Sequence, residues 1–213
     1  PLLKGDINAF EKIIGTLYAP EERLKIEWSI GAVVSGDSVN IQKFMVFYGD
    51  PGSGKSTILN IIQKMFDGYF SVFEAKVLTS SSAFALEAFK NNSLVAIDHD
   101  ADLSKIDDNT RLNSIVSHEE MVMNEKNKPT YKIKSSALLF MGTNKPVKIT
   151  DAKSGVIRRL IDIRPSGRKI PKDLYDTLIS AIDYELGAIA YHCLQVYKDM
   201  GKNYYNSYNP LDM

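Results

Sequence analysis

The feature that most constrains this chain is the glycine-rich stretch Gly49–Ser56, which reads GDPGSGKS. The apolar run before it, Phe44–Tyr48, predicts a buried strand. Apolar residues then recur at helical spacing, at Ile58, Ile61, Ile62, Met65 and Phe66. Glycines at these positions let the backbone bend and point its N–H groups at phosphate oxygens. A strand, a loop and a helix in this order predict a nucleotide phosphate site at the helix N-terminus.

Individual positions of this motif have predicted roles. Lys55 would reach the β- and γ-phosphates, and the Ser56 hydroxyl would ligate Mg²⁺. Thr57 can assist in the same turn. The full set of candidate nucleotide-binding residues is Gly49, Asp50, Pro51, Gly52, Ser53, Gly54, Lys55, Ser56 and Thr57.

A second apolar run, Leu94–Ile97, ends in two acids, Asp98 and Asp100. In nucleotide hydrolases the first acid after such a strand holds Mg²⁺, and a second acid polarises the attacking water. We therefore assign Asp98 to the metal and Asp100 to the general base. The alternative is that both acids only open an acidic turn. His99 between them is expected to face solvent or to be structural, and a direct role in the site is the alternative.

Composition sets limits on the remaining functions. With 213 residues and 44% hydrophobic content, one domain with a real core is expected. The formal net charge is zero, so nucleic acid would have to bind a local patch or an assembled channel. Cys193 is the single cysteine, which rules out a disulfide framework within the chain and fits a reducing compartment. No stretch reads as a signal peptide or membrane span, so a cytoplasmic location is expected.

The chain divides into three predicted parts. Residues 1–42 form a helical lead-in, residues 43–170 the nucleotide core, and residues 171–213 a C-terminal helical segment and tail. Within the core, Ser80–Ser82 is predicted to cap a helix that runs to about Lys90. The apolar stripe from Leu174 to Val196 predicts helical packing, and the polar, aromatic stretch Tyr204–Pro210 predicts a loose tail. Because the chain begins at Pro1, we expect it to be part of a longer polypeptide.

A β-hairpin is predicted between the acids and the next buried strand. Met121–Asn124 and Thr130–Ile133 alternate in polarity around a polar turn. Lys126 and Lys128 lie in that turn. A solvated turn without function is the alternative reading.

Two further polar features follow. The buried strand Ala137–Gly142 leads into Asn144, a polar residue at a strand end that could touch the γ-phosphate. Arg158 and Arg159 precede the apolar segment Leu160–Ile163. Arginine is suited to bidentate phosphate contact across a subunit boundary.

These stretches, taken in order, resemble the superfamily III helicases, specifically the helicase domain of phage and large-DNA-virus primase-helicases. The resemblance covers nearly the whole chain. The stretches that carry it are GDPGSGKST at Gly49–Thr57, LVAIDHD at Leu94–Asp100, VMNEKNKPTYKIK at Val122–Lys134 with LLFMGTN after it, and GVIRRLIDI at Gly155–Ile163.

The resemblance implies an α/β fold, an AAA+-like P-loop NTPase core with a central, mostly parallel sheet and helices at both ends. It implies hexameric rings around single-stranded DNA, ATP and Mg²⁺ between subunits, and fusion to an N-terminal primase or polymerase. Asn144 matches the position that places the lytic water. Arg158 or Arg159 matches the arginine finger, and Lys126 and Lys128 match the hairpin that grips the DNA backbone.

Many members of this superfamily place the two acids side by side, whereas His99 separates them here, which leaves the general base open. Three functions remain in competition. The first is an ATP-driven DNA translocase or helicase. The second is an ATP-dependent oligomerisation or loading module with little translocation. The third, a small-molecule kinase, fits poorly with the lysine hairpin and the paired arginines.

Overall fold

The computed structural model describes residues 1–147 and 155–210. Its helices are α1 (Asn8–Leu17), α2 (Pro20–Ser35), α3 (Lys55–Met65), α4 (Ala75–Leu78), α5 (Thr110–Val116), α6 (Val156–Arg159), α7 (Lys172–Ile182) and α8 (Leu186–Met200). Its strands are β1 (Phe44–Tyr48), β2 (Phe70–Val72), β3 (Val95–Asp98), β4 (Glu120–Met123), β5 (Tyr131–Lys134), β6 (Leu138–Thr143) and β7 (Leu160–Ile163). Among these residues, no helix is both long enough and apolar enough to span a membrane.

The centre of the fold is a five-stranded sheet in the order β2-β3-β6-β1-β7. Every neighbouring pair in it runs parallel. Strands β1, β3, β6 and β7 are buried almost throughout, which explains why their sequences are continuous apolar runs rather than alternating ones. The prediction of an α/β fold with a mostly parallel central sheet and C-terminal helices is confirmed.

Helices cover both faces of the sheet. Met45 and Phe47 of β1 belong to a core shared with α1, α2, α3 and α8. Phe44 and Val46, which point the other way, belong to a second core shared with α4 and α5. The alternation of side chains along one strand thus feeds two separate hydrophobic layers.

The N-terminal and C-terminal helices pack tightly against each other. A Cβ atom added to Gly31 of α2 would lie 2.1 Å from the carbonyl oxygen of Cys193 in α8. Only glycine allows this close approach of the two backbones. Cys193 itself is fully buried, and burial raises the pKa of its thiol, in keeping with an inert packing residue.

The helix predicted from Ser80 to about Lys90 is wrong. This segment forms turns and a short 3₁₀ helix at Glu87–Phe89, and Phe84 is 63% exposed. The hydroxyl of Ser80 donates to the backbone of Val77, and that of Ser82 accepts from Phe84 N–H. Such local bonds compete with helix formation.

The loose tail predicted at Tyr204–Pro210 is also wrong. Tyr205 is buried, with its ring centroid 5.0 Å from that of Trp28. The Tyr208 hydroxyl donates to the buried carboxylate of Asp162 and accepts from Lys25 Nζ at 2.9 Å. The tyrosines supply both apolar area and hydroxyl partners, so this aperiodic segment docks without forming a helix.

The apolar stripe from Leu174 to Val196 falls on two helices, α7 and α8, rather than one. The break between them contains Glu185, whose carboxylate accepts hydrogen bonds from the backbone N–H groups of Ala9 (2.8 Å) and Phe10 (3.2 Å). A side chain from the C-terminal segment therefore satisfies donors at the start of α1.

Candidate nucleotide-binding site

The glycine-rich loop joins the carboxyl end of β1 to the first turn of α3. Gly52 and Gly54 adopt φ values of +76° and +99°, which side chains other than glycine rarely accept. A Cβ atom at Gly54 would also lie 2.8 Å from the Leu17 side chain, so the end of α1 presses on the loop. The local sequence and this packing together shape the loop.

Lys55 is folded back over the loop that precedes it. Its ammonium donates to the carbonyl oxygens of Gly49 (2.5 Å) and Asp50 (2.9 Å). Burial lowers the pKa of Lys55, and the nearby carboxylates of Asp50 and Asp100 oppose that shift. The charge of Lys55 is thus held at the mouth of the loop and within the field of one of the predicted catalytic acids.

A cavity of about 250 Å³ adjoins the loop. It is lined by Leu17, Gly52, Gly54, Ser56, Thr57, Lys169, Ile170 and Tyr175. The hydroxyls of Thr57 and Tyr175 are hydrogen-bonded at 3.0 Å, which links α3 to α7. Sequence reasoning missed Lys169, Ile170 and Tyr175, because no local motif marks residues that long-range packing brings to the loop.

The two predicted acids lie at the carboxyl end of β3. Asp98 is 7% exposed, and its two oxygens accept hydrogen bonds from the backbone N–H groups of Ala75 (2.7 Å) and Asp100 (3.1 Å). Burial raises the pKa of Asp98, while these two N–H groups oppose the shift. Asp100 is exposed. We call the segment Asp98–Ala101 the acid turn.

Strand register brings the loop, the acid turn and Asn144 to one edge of the sheet. Tyr48 pairs with Thr143, and Asp98 pairs with Met141. The Gly49 N–H donates to the carbonyl oxygen of Thr143 at 3.1 Å. The exposed Asn144 therefore follows directly after the residue bonded to the start of the loop.

The two arginines lie at the opposite edge of the sheet from the loop, where the strands have their amino-terminal ends. Leu160, which follows Arg159, pairs with Phe44 at the start of β1. A five-residue strand separates this edge from the loop by roughly 16 Å. Arg158 and Arg159 of one chain are therefore remote from the glycine-rich loop of that chain.

The environments of the two arginines differ. Arg159 is 8% exposed and donates to Ser117 Oγ (3.0 Å) and to the carbonyl oxygen of Gly155 (2.9 Å). Its pKa is lowered by burial and, less, by Arg158. Arg158 is exposed. The sequence could not distinguish these adjacent residues. In the structure, Arg159 is hydrogen-bonded inside the chain and Arg158 faces solvent.

The predicted hairpin is present as β4 paired antiparallel with β5. Asn127 at its tip has φ +63°, and Lys126 beside it is exposed. Lys128 forms an ion pair with Glu125 at 2.5 Å, and Lys90 contacts the same carboxylate. Lys128 and then Lys90 lower the pKa of Glu125 to about 2. The charge of Lys128 is therefore partly compensated within the hairpin.

Residues 47–159, more than half of the chain, match the model of a family described as a family of unknown function, DUF5906. No curated protein gives a match.

Solved structures share the fold. An A-form apo structure of the NrS-1 C-terminal region has a TM-score of 0.66 at 19% identity, over 90% of this chain and 46% of that one. Another apo structure of the NrS-1 C-terminal region has a TM-score of 0.67 at 16% identity, over 93% of this chain and 51% of that one. The chain thus spans about half the length of these structures.

Proposed function

We propose that this chain, which belongs to the DUF5906 family, is the ATP-hydrolysing helicase or translocase domain of a phage or large-DNA-virus replication protein. One observation carries the proposal. The glycine-rich loop, the acid turn and Asn144 meet at the carboxyl edge of a parallel sheet, beside β1. Ligands of open α/β sheets bind outside the carboxyl ends of strands, where connections diverge to opposite sides. Here β2, β3 and β6 lie on one side of β1, and β7 lies on the other.

The side chains at this edge have complementary chemistry for a nucleoside triphosphate. Lys55 would exchange the carbonyl oxygens of Gly49 and Asp50 for phosphate oxygens. The hydroxyl of Ser56 and the carboxylate of Asp98 are oxygen donors of the kind that Mg²⁺ accepts beside phosphates and water. When bound, Mg²⁺ would neutralise charge on the phosphates.

The remaining roles fall on exposed groups at the same edge. The Asp100 carboxylate would accept the proton of the attacking water, and the Asn144 side chain would orient that water. The cavity beside the loop, with Leu17, Ile170 and Tyr175 in its lining, offers an apolar space next to the phosphates for the base and sugar. Lys169 adds a positive charge to the same lining.

Arg158 supports a site shared between copies of the chain. It is exposed and lies at the sheet edge opposite the loop, so it would reach only the phosphates bound by a neighbouring copy. A head-to-tail contact of this kind closes into a ring when its rotation permits. We propose a hexameric ring with single-stranded DNA in its channel. Lys126 at the hairpin tip would supply a sequence-independent contact to the DNA backbone.

A second function, an ATP-dependent oligomerisation or loading module with little translocation, has one observation in its favour. Lys128 forms an ion pair with Glu125, so Lys126 is the better placed of the two hairpin lysines to contact DNA. A module that binds nucleotide and assembles, but moves little, needs fewer contacts to the strand.

The test is ATP hydrolysis by the full-length protein, with and without single-stranded DNA, alongside its mass in solution. Hydrolysis that DNA stimulates, in an oligomer, and that Lys55→Ala abolishes supports the translocase. ATP-dependent assembly with an ATP hydrolysis rate that single-stranded DNA does not change favours the loading module. Absence of ATP binding by the wild type would refute both.

A further inference from the structure

His99, the residue that separates the two acids, is tied to the helix that begins at the glycine-rich loop. Its Nε2 lies 3.0 Å from Oε1 of Gln63, on α3. An amide oxygen only accepts hydrogen bonds, so His99 Nε2 carries the proton and donates it to this contact. Both side chains are half-buried. The same helix begins with Lys55 and Ser56.

The backbone of His99 is seated just as closely on the neighbouring strand. A Cβ atom added to Gly142 of β6 would lie 3.1 Å from the His99 carbonyl oxygen and 3.0 Å from Leu59 Cδ1. The Ala101 N–H donates to the Gly142 carbonyl oxygen at 2.7 Å. The acid turn therefore packs closely on the end of β6, where a side chain at position 142 would fit only if its neighbours moved by a few tenths of an ångström.

These contacts decide where Asp100 is held. Its own side chain is exposed, so the backbone course between Asp98 and Ala101 sets the position of its carboxylate. The bond from His99 to Gln63 is a side-chain link between that backbone and α3.

We propose that Gln63 and His99 are positioning residues. They couple the acid turn to the C-terminal half of α3, the helix whose first turn carries Lys55 and Ser56. When Lys55 and Ser56 shift to engage a nucleotide, the hydrogen bond makes the acid turn follow, so the acids keep their distance from the bound phosphates. The inference rests on the proposed function, and it assigns to His99 a role other than general base.

The test compares substitutions of similar size in the full-length protein. Gln63→Met removes the acceptor, whereas Gln63→Glu keeps an oxygen at the same place. Asn60→Met, at an exposed position on the same helix, is the control for adding a methionine to α3. We expect Gln63→Met to lower kcat by roughly two- to tenfold, as the loss of one hydrogen bond predicts, without changing the Kd of a fluorescent ATP analogue. Gln63→Glu and Asn60→Met should keep wild-type turnover.

A second readout does not depend on activity. Long-range ¹H–¹⁵N NMR should find the His99 ring in the Nε2–H form in the wild type, and a mixture of tautomers in Gln63→Met. Equal kcat for Gln63→Met and an active wild type would overturn the positioning role and leave the proposed function standing. A matching fall in nucleotide affinity would overturn it too, since it would indicate general damage to α3. A wild type that binds ATP but never hydrolyses it would instead overturn the proposed function, and the inference with it.

Discussion

Replacing Arg159 and Arg158 separately should divide stability from activity. Arg159→Ala removes two hydrogen bonds donated by a charged group, at 3.0 Å to Ser117 Oγ and 2.9 Å to the Gly155 carbonyl oxygen. Such bonds contribute about 1.5–3 kcal/mol each and are not fully additive, so we expect a loss of about 2–4 kcal/mol in the free energy of unfolding. Arg158→Ala removes an exposed side chain and should change stability by less than about 0.5 kcal/mol.

Urea unfolding, followed by circular dichroism and by fluorescence of the buried Trp28, measures both values. Arg159→Lys is the matched control, because it keeps the charge but loses the planar fork that serves two acceptors. It should recover only part of the loss. Equal midpoints for Arg159→Ala and Arg158→Ala would refute the assignment of Arg159 to internal structure.

ATP turnover by the assembled protein should be affected in the reverse order, with the larger loss in Arg158→Ala and the smaller in Arg159→Ala. An arginine that reaches a neighbour's phosphates contributes about 10³-fold or more to kcat. Arg158→Ala should therefore abolish most ATP hydrolysis in a well-folded oligomer, whereas Arg159→Ala should lose activity only as it unfolds. A fully active Arg158→Ala oligomer would contradict the shared site.

Three further outcomes are expected. Gly31→Ala should destabilise the chain by about 1–3 kcal/mol in urea unfolding, because the added Cβ would meet the α8 backbone. The control Gly15→Ala, whose added Cβ has nothing within 4 Å, should be neutral or slightly stabilising. Equal stabilities of the two variants would contradict the α2–α8 packing. The pKa of Glu125 is lowered from 4.5 to about 2, so its ion pairs stabilise the hairpin above about pH 4.5 and are lost as pH falls toward 2. An NMR titration that finds the Glu125 carboxyl titrating near pH 4.5 would exclude this stabilisation. Lys126→Ala should weaken single-stranded DNA binding and lower its salt slope by about one for each copy whose Lys126 contacts the DNA, whereas the exposed Lys202→Ala should not. An unchanged slope would exclude Lys126 from the DNA contact.

Local patterns predicted the strand–loop–helix at Phe44–Met65, the β4–β5 hairpin and the buried strands. In each case the signal lies within a few residues: apolar runs, alternation, or glycines where φ must be positive. The helix prediction for the segment that begins at Ser80 was wrong because serine hydroxyls and an arginine of α5 bind the backbone groups that a helix would pair. Arg111 donates to the Ser82 carbonyl oxygen at 2.6 Å.

Features set by distant residues could not be predicted. The docked tail depends on Trp28 and Asp162, more than 40 residues away in sequence from Tyr208. The cavity beside the loop takes Tyr175 from α7, and the Gln63–His99 bond joins a helix to a strand end. The difference between Arg158 and Arg159 likewise depends on Ser117. Tertiary packing decides all four, and no periodicity in the sequence reports on it.

In the proposed site, one copy supplies the loop and acids while another supplies Arg158. The most direct measurement is ATP hydrolysis by an equimolar mixture of full-length Lys55→Ala and Arg158→Ala proteins. Each alone should be inactive. In mixed rings, about a quarter of the heterologous interfaces would pair an intact loop with an intact Arg158, so roughly a quarter of wild-type turnover should return. Inactive variants that assemble together but recover no hydrolysis would contradict the shared site.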